Sequence, residues 1–545
     1  MSNFDFILKK EIFKTFAEAS VEAEKSIAIT NVSCAIMCRR ALELAVKWLY
    51  ANDQELIMPY QNNLSSLVYD INFRNMLDEN IFREITYIIK LGNFSVHSNK
   101  KVTRDEAVIC LKYLFDFMNW ISYCYDSNYE DVTFDETILP SLSSDNLKKE
   151  QREELENKLY EKDIELEKTL KENEELRNKL TTERTSKKES YNFKVDDISE
   201  FETRKRFIDL DLEIAGWEFG KNIVEELEVS NMTSTQEKGF VDYVLFGENG
   251  KPLAVVEAKR TSKDAKYGQQ QAKLYADCIE REYAQRPVIY YTNGKEIYMW
   301  DDLDYPERKV AGFYTQNELQ LLINRRKSKE NLEHIFIDDK ITNRPYQLEA
   351  IKNVCEAFEQ KHRKALLVMA TGTGKTRTAI SIVDVLTGKN WVQNVLFLAD
   401  RTELVKQAEK NFKKLLPDMS CCNLLSSKDG DPEDSRIVFS TYQTMINCID
   451  SVKAKNGNKL FTAGHFDLII IDEAHRSIYK KYQAIFDYFD GLLVGLTATP
   501  RSDVDKNTYK FFELENNVPT FVYEYDEAVK QGYLVNYHTI KTNTE

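Results

Sequence analysis

Apolar residues recur at spacings of three and four through the first 128 residues, most clearly in FAEASVEAEKSIAITNVSCAIMCRRALELAVKWLY, a stretch free of Gly and Pro. That period predicts amphipathic helices and an all-α N-terminal domain over 1–128. Residues 129–145 (YEDVTFDETILPSLSSD) lose the period, gather acid and serine around Pro140, and predict a loop. From 146 to 188, Leu159, Leu166, Asn173 and Leu180 keep a heptad register, with Leu155 and Leu176 in the complementary one and Lys162 and Thr169 interrupting the seam. This predicts a helical, coiled-coil-like linker over 129–190. Self-association through the seam is one outcome; a solvated spacer helix, or one folded against its own chain, is the other. Residues 191–305 mix a helix (SEFETRKRFIDLDLEIAGW) with short apolar strands and turn signals, and 306–339 read as a linker. From 340 to 545, β-branched strands alternate with helices, which predicts an α/β domain with a parallel sheet.

Composition supports several domains, because 545 residues exceed what one hydrophobic core can serve. A hydrophobic content of 42% and charged content of 30% fit a globular protein. No apolar run approaches a membrane span, and MSNFDFILKKEIFKTF lacks a signal-peptide pattern, so a cytoplasmic location without membrane contact is expected. Nine cysteines without a CxxC pair, beside six histidines, argue against a disulfide framework or a zinc site. The net charge of −15 does not suggest a chain coated with nucleic acid, but it says little about one groove.

The chemistry enters with KALLVMATGTGKTRTA, an apolar strand, a Gly-rich turn and a helix start. Thr371, Gly372, Thr373 and Gly374 would let backbone N–H groups close around phosphates. Lys375 would reach the β and γ phosphates of ATP, and the Thr376 hydroxyl would hold Mg²⁺. Further on, HFDLIIIDEAHRS ends a continuous apolar run with Asp472, suited to Mg²⁺, and Glu473, suited to polarising water. MATGTGKT, IIIDEAH and GLTATP, in that order, resemble the main motifs of superfamily 2 helicases and translocases. The resemblance implies a RecA-like P-loop domain over 340–545, with His475 coupling and Gln347 of RPYQLEAI reading adenine. It also implies nucleic-acid contacts near Arg401, Ser440 and Thr441, and Thr497 and Thr499 linking ATP state to strand contact. The superfamily completes its ATP site with a second RecA-like domain, which residues 501–545 do not resemble. A motor deficient on its own is therefore the expectation.

A second centre is suggested by FVDYVLFGENGKPLAVVEAKR. Asn249-Gly250 predicts a hairpin, and a turn centred there places Asp242 opposite Glu257, with Lys259 on the same side. Opposed carboxylates roughly 5 Å apart repel unless a cation lies between them. Mg²⁺ would suit the pair, and Lys259 would orient water or offset charge. The D-x(14)-E-x-K spacing resembles PD-(D/E)xK nucleases, which implies an α/β nuclease domain over 191–305. Glu202 on the preceding helix would be a further acid, and Gln271 and Tyr275 match the companion QxxxY motif. Nuclease before motor resembles the R subunit of type I restriction enzymes. That resemblance implies an ATP-dependent translocase and endonuclease acting on double-stranded DNA with modification and specificity subunits. A stand-alone helicase–nuclease in defence or repair, and a truncated non-catalytic binding partner, are the alternatives.

RRALELAVKWLY and IIKLGNFSVHS resemble the DUF4145 domain, whose R-x-x-GN-x-x-x-H pattern is met by Gly92, Asn93 and His97, with Lys90 where the family has Arg. The resemblance implies kinship with HEPN domains, some of which cut RNA with Arg and His. A docking or sensing module is the expectation here, since Lys lacks the planar fork of Arg.

Overall fold

The computed structural model describes residues 2–59, 63–97, 102–140, 174–187, 207–230, 238–260, 263–426, 430–450, 459–474, 482–500, 502–503 and 506–536. The N-terminal body is helical: α1 (Lys14–Ser26), α2 (Asn31–Asn52), α3 (Leu64–Val68), α4 (Glu79–His97) and α5 (Arg104–Tyr125). Local chemistry sets two of the starts. Thr30 accepts from the Ser33 N–H ahead of α2, and Thr103 and Glu106 form a reciprocal capping box ahead of α5. The apolar faces meet in one core, where Trp48 stands edge-on to Phe13, Phe16 and Tyr125.

Of the heptad segment, only α6 (Glu174–Lys187) is described, and it packs on α5 and α2. Leu180 is buried in the N-terminal core, and Arg184 forms an ion pair with the buried Asp53 at 2.7 Å and with Glu55 at 2.6 Å. This part of the segment therefore folds against its own chain. Leu155, Leu159, Leu166 and Asn173 lie outside the described residues.

The middle body opens with α7 (Asp209–Ile214), whose two faces serve different cores. Leu210 and Ile214, four apart, join the N-terminal core, while Leu212 joins the core of the sheet that follows. That sheet runs β1 (Ile223–Ser230), β2 (Lys238–Phe246), β3 (Pro252–Ala258), β4 (Val288–Thr292), β5 (Ile297–Trp300), β6 (Arg308–Val310), in sequence order. Neighbours are antiparallel except β3 and β4, which are parallel and joined through α8 (Gln269–Tyr283). All of β3 is buried because α8 covers one face and α9 (Gln316–Ser328) the other. Leu319 and Ile323 of α9 belong to the sheet core. The expected linker at 306–339 is thus corrected: β6 extends the sheet and α9 completes its core, because Leu319 and Ile323 lie one helical turn apart on the buried side.

The third body is a parallel seven-stranded sheet. Its elements are α10 (Pro345–Glu359), β7 (Lys364–Met369), α11 (Lys375–Gly388), β8 (Val395–Ala399), α12 (Thr402–Leu415), β9 (Cys421–Asn423), β10 (Ile437–Thr441), α13 (Tyr442–Cys448), β11 (Leu468–Asp472) and β12 (Leu492–Thr497). A short antiparallel pair, β13 (Ser502–Asp503) and β14 (Lys506–Asn507), precedes the edge strand β15 (Phe521–Tyr523). Strand order is β15-β7-β12-β11-β8-β10-β9. The near-continuous apolar character of β7, β8, β11 and β12 follows from helices on both faces.

Charged contacts join the bodies. Asp490, ahead of β12, receives Arg363 of its own body at 2.8 Å and Arg308 and Tyr314 of the middle body at 2.7 and 2.6 Å. Those cations and the Tyr314 hydroxyl overcome burial and hold the Asp490 carboxyl at about 2, below its usual range. Arg325 of α9 binds Asp467 bidentately at 2.5 and 2.6 Å.

Candidate nuclease and nucleotide sites

The hairpin between β2 and β3 fixes the first site. It pairs Tyr243 with Val256, Val244 with Val255 and Leu245 with Ala254, then shifts register between Leu245 and Phe246. The turn itself spans three residues: Gly247 N–H donates to Lys251 O at 2.9 Å, and Gly250 takes φ +71°. The longer turn and the shift cancel, so the residue numbers of pairs beyond the shift sum as a two-residue Asn-Gly turn would make them. Val244 and Val255 face α8, and alternation carries Asp242 and Glu257 to the same face.

There Asp242 Oδ2 accepts the Ala258 N–H at 2.7 Å. Glu257 is 2% exposed, and its Oε1 lies 2.5 Å from Lys259 Nζ. Lys259 also donates to Gln271 Oε1 at 3.2 Å, and Gln271 Nε2 donates to the Tyr275 hydroxyl at 2.7 Å. Gln271 and Tyr275, four apart on α8, present one face to the carboxylates. Burial raises the Tyr275 phenol, and the negative charges of Glu257 and Asp242 add to it against the Gln271 hydrogen bond. The cluster thus brings five of the six expected nuclease residues together. Glu202 lies outside the described residues.

One participant escaped the sequence reading. Gly268, just ahead of α8, approaches so closely that a Cβ would lie 3.1 Å from Glu257 Cγ and 3.5 Å from Lys259 Cγ. Its only signal was a glycine beside the QxxxY helix. The donor set fits a hard divalent cation, since it offers carboxylate oxygens on one face and no sulfur or imidazole. Groups of three or more His, Cys, Asp or Glu placed to hold a metal are absent among the described residues, so water and phosphate oxygens would fill the remaining positions.

The second site lies at the carboxyl edge of the parallel sheet, where such sheets bind ligands. β7 runs into the loop 370–374, in which Gly372 and Gly374 take φ +88° and +91°, and Lys375 begins α11. Thr371 is exposed, Thr373 is buried with its hydroxyl on Ala370 O at 2.6 Å, and Thr376 is half-buried. Asp472 ends β11. Its carboxyl is pushed up to about 6 by burial and by Glu473, against Lys375 and the Glu473 N–H. Glu473 adopts φ +52°, uncommon for a residue with a Cβ, and lies 3.5 Å from Lys375 Nζ.

Gln347, the residue expected to read adenine, lies in the first turn of α10. It is buried, donates to Thr373 O at 2.9 Å and accepts from Thr342, so it braces the phosphate loop. Tyr346, which the sequence reading passed over, also donates to Thr373 O at 2.8 Å and stacks on Tyr523 with centroids 3.9 Å apart. Arg401 is exposed after β8, and Ser440 and Thr441 end β10, where Thr441 caps α13 by accepting from the Thr444 N–H. Thr497 is buried at the end of β12 and accepts the Thr499 N–H at 3.2 Å, while Thr499 is exposed. His475 lies outside the described residues.

The N-terminal motif residues make contacts between bodies. Lys90 pairs with Asp211 at 2.6 Å, and Asn93 donates to Asp450 O at 3.0 Å. A Cβ on Gly92 would lie 2.6 Å from Arg39 Cβ, so glycine permits the packing of α4 on α2. His97 is the last residue of α4.

Three family models match successive parts of the chain. They are a domain of unknown function (DUF4145) at 21–165, the type I restriction enzyme R protein N terminus at 117–308, and the type III restriction enzyme, res subunit at 340–502. The EcoAI type I restriction enzyme endonuclease subunit of Escherichia coli is 29% identical over 367 residues, covering 61% of this chain and 42% of the relative. The EcoKI endonuclease subunit of E. coli strain K12 is 27% identical over 425 residues, covering 62% and 35%. A solved fragment assigned as an HsdR subunit from Vibrio vulnificus YJ016 is 26% identical and covers 62% of either chain, with a TM-score of 0.28, too low to bear on the fold. The chain spans less than half the length of these curated relatives. No described helix is long and apolar enough to cross a membrane.

Proposed function

We propose that this chain, a relative of the R subunits of type I restriction enzymes, is an ATP-dependent DNA translocase and endonuclease part of such a system. The observation that carries the reading is the pocket in which Asp242, Glu257 and Lys259 meet, braced by Gln271 and Tyr275 and borne on the same chain as a phosphate loop. Double-stranded DNA is the substrate, and modification and specificity subunits are the partners.

In this reading Asp242 and Glu257 would hold Mg²⁺, which when bound polarises the scissile phosphate and lowers the pKa of the attacking water. Lys259 orients that water and offsets charge on the phosphate. Gln271 keeps the ammonium in line, and Tyr275 keeps Gln271 in place. At the motor site, Lys375 and the backbone of 371–374 bind the ATP phosphates, Thr376 and Asp472 would hold the accompanying Mg²⁺, and Glu473 positions water.

The test is conversion of supercoiled plasmid by the chain, supplied with modification and specificity subunits, Mg²⁺ and ATP. Asp242→Asn is expected to stop cutting while nucleotide binding persists, and Lys375→Ala to remove the response to ATP. Cutting that persists in Asp242→Asn would sink the nuclease assignment.

A further inference from the structure

Where the three bodies meet they form a half-open cleft of about 530 Å³, to which neither the 242/257/259 pocket nor the phosphate loop contributes a residue. One wall is α4, a second is the β4–β5 turn, and a third comes from the segments around Lys459 and Tyr488. Six cations line it. Four are balanced by carboxylates: Arg74 by Asp487 at 3.2 Å, Lys90 by Asp211 at 2.6 Å, Lys309 by Glu296 at 2.9 Å and Lys459 by Asp450 at 3.5 Å.

Arg83 and Lys295 differ. Arg83 Nη2 donates to Asn80 Oδ1 at 2.8 Å, and Lys295 Nζ, from another body, donates to the same oxygen at 3.0 Å. Two cations thus converge on one neutral acceptor, and among the described residues neither forms an ion pair. Arg83 Nη1 is buried with no hydrogen-bond partner. Burial lowers both groups' hold on a proton, and Arg83 adds to the effect on Lys295. Asp78, Glu79 and Glu84 offset part of this, and Glu79 itself lines the cleft.

Like charges brought this close are unfavourable unless an anion lies between them. A phosphate suits the pair, since Arg supplies a planar fork and Lys a point charge. The same cleft is walled by Phe82, Tyr87 and Phe207, whose rings suit a planar base, and its size lies in the range of small-molecule sites. We propose that this junction binds a phosphorylated ligand of nucleotide size, with its phosphate seated between Arg83 and Lys295. A free nucleotide and the 5′-phosphorylated end of a strand both carry this chemistry, and the probes below distinguish them. Because each body contributes a wall, occupancy stabilises this arrangement of nuclease and motor over others.

The test is equilibrium binding and thermal unfolding of the full chain bearing Lys375→Ala, which silences the phosphate loop. The probes are AMP, inorganic phosphate and a 5′-phosphorylated oligonucleotide. AMP is expected to bind and raise Tm. Arg83→Ala and Lys295→Met weaken binding by at least about tenfold, while Lys295→Arg retains it. Without probe, Lys295→Met leaves Tm level or higher, because a repulsion has gone. A response to the oligonucleotide but not to AMP supports the site and assigns the strand end as its source. The proposal fails if no probe binds the parent, if binding survives both neutralising variants, or if Lys295→Met lowers Tm and leaves binding intact.

Discussion

Lys259 lies 2.5 Å from the buried Glu257, so the ammonium and the Mg²⁺ proposed for this pocket would share one carboxylate. Lys259→Met is expected to bind Mg²⁺ roughly tenfold more tightly, since a like charge within a few ångströms is removed. DNA cutting is expected to fall by about a hundredfold or more, because the group that orients water is lost. Calorimetric Mg²⁺ titration beside plasmid cleavage checks both. Tighter metal with undiminished cutting would remove Lys259 from the chemistry.

Asp242 makes a backbone contact that can be separated from its proposed metal role. Its Oδ2 accepts the Ala258 N–H at 2.7 Å, which pins β3 to β2 beside the pocket. Asp242→Ala leaves that buried donor unsatisfied, at a cost of about 1–3 kcal/mol. Asp242→Asn keeps an acceptor oxygen, so its stability is expected to remain within about 0.5 kcal/mol of the parent. Both variants are expected to lose cleavage. Denaturant unfolding separates them: equal losses of stability would show that the hydrogen bond contributes nothing.

Much of this site was legible in the sequence because strand alternation is a strict period. Once the pairing of β2 with β3 is fixed, the face of Asp242 and Glu257 follows, and the i, i+4 spacing of Gln271 and Tyr275 does the same on α8. The three-residue turn was not legible. Its effect vanished only because the shift after Leu245 restored the pairing. Nor could periodicity reveal that 306–339 carries β6 and α9, since a three-residue strand and a helix with few buried positions leave a weak pattern. The bracing role of Gln347 depends on the fold bringing α10 against the phosphate loop, a non-local contact that no motif spacing encodes.

That contact makes Gly374 doubly constrained. It sits at φ +91°, and a Cβ there would lie 2.4 Å from Gln347 Nε2. Gly374→Ala combines a left-handed backbone penalty of about 1–2 kcal/mol with displacement of the Gln347 amide. ATP binding is expected to weaken by at least about tenfold, since each 1.4 kcal/mol is tenfold. Gly388→Ala, on α11 with open space around it, is the control and should bind ATP normally. A fluorescent ATP analogue titration distinguishes them, and equal affinities would mean that the loop tolerates a side chain at 374.

Asp490 sets the acid limit of the joint between the middle and third bodies. Its carboxyl is held at about 2, against an ordinary value of 3.8. A depressed carboxyl stabilises the fold above its unfolded value and loses that contribution as pH falls towards its folded value. The joint is therefore at full strength above about pH 4 and weakens between pH 4 and 2, by about 2 kcal/mol at 1.36 kcal/mol per unit. Asp490→Asn removes the charge that Arg308 and Arg363 share and leaves both partly buried, which costs about 3–5 kcal/mol. The variant is expected to unfold at lower denaturant at pH 7 and to show a shallower loss of stability between pH 4 and 2. Asp487→Asn is the comparison, because its pair with Arg74 is nearly half exposed on each side and contributes less than about 1 kcal/mol. Identical pH profiles for Asp490→Asn and the parent would show that the Asp490 cluster does not hold the two bodies together.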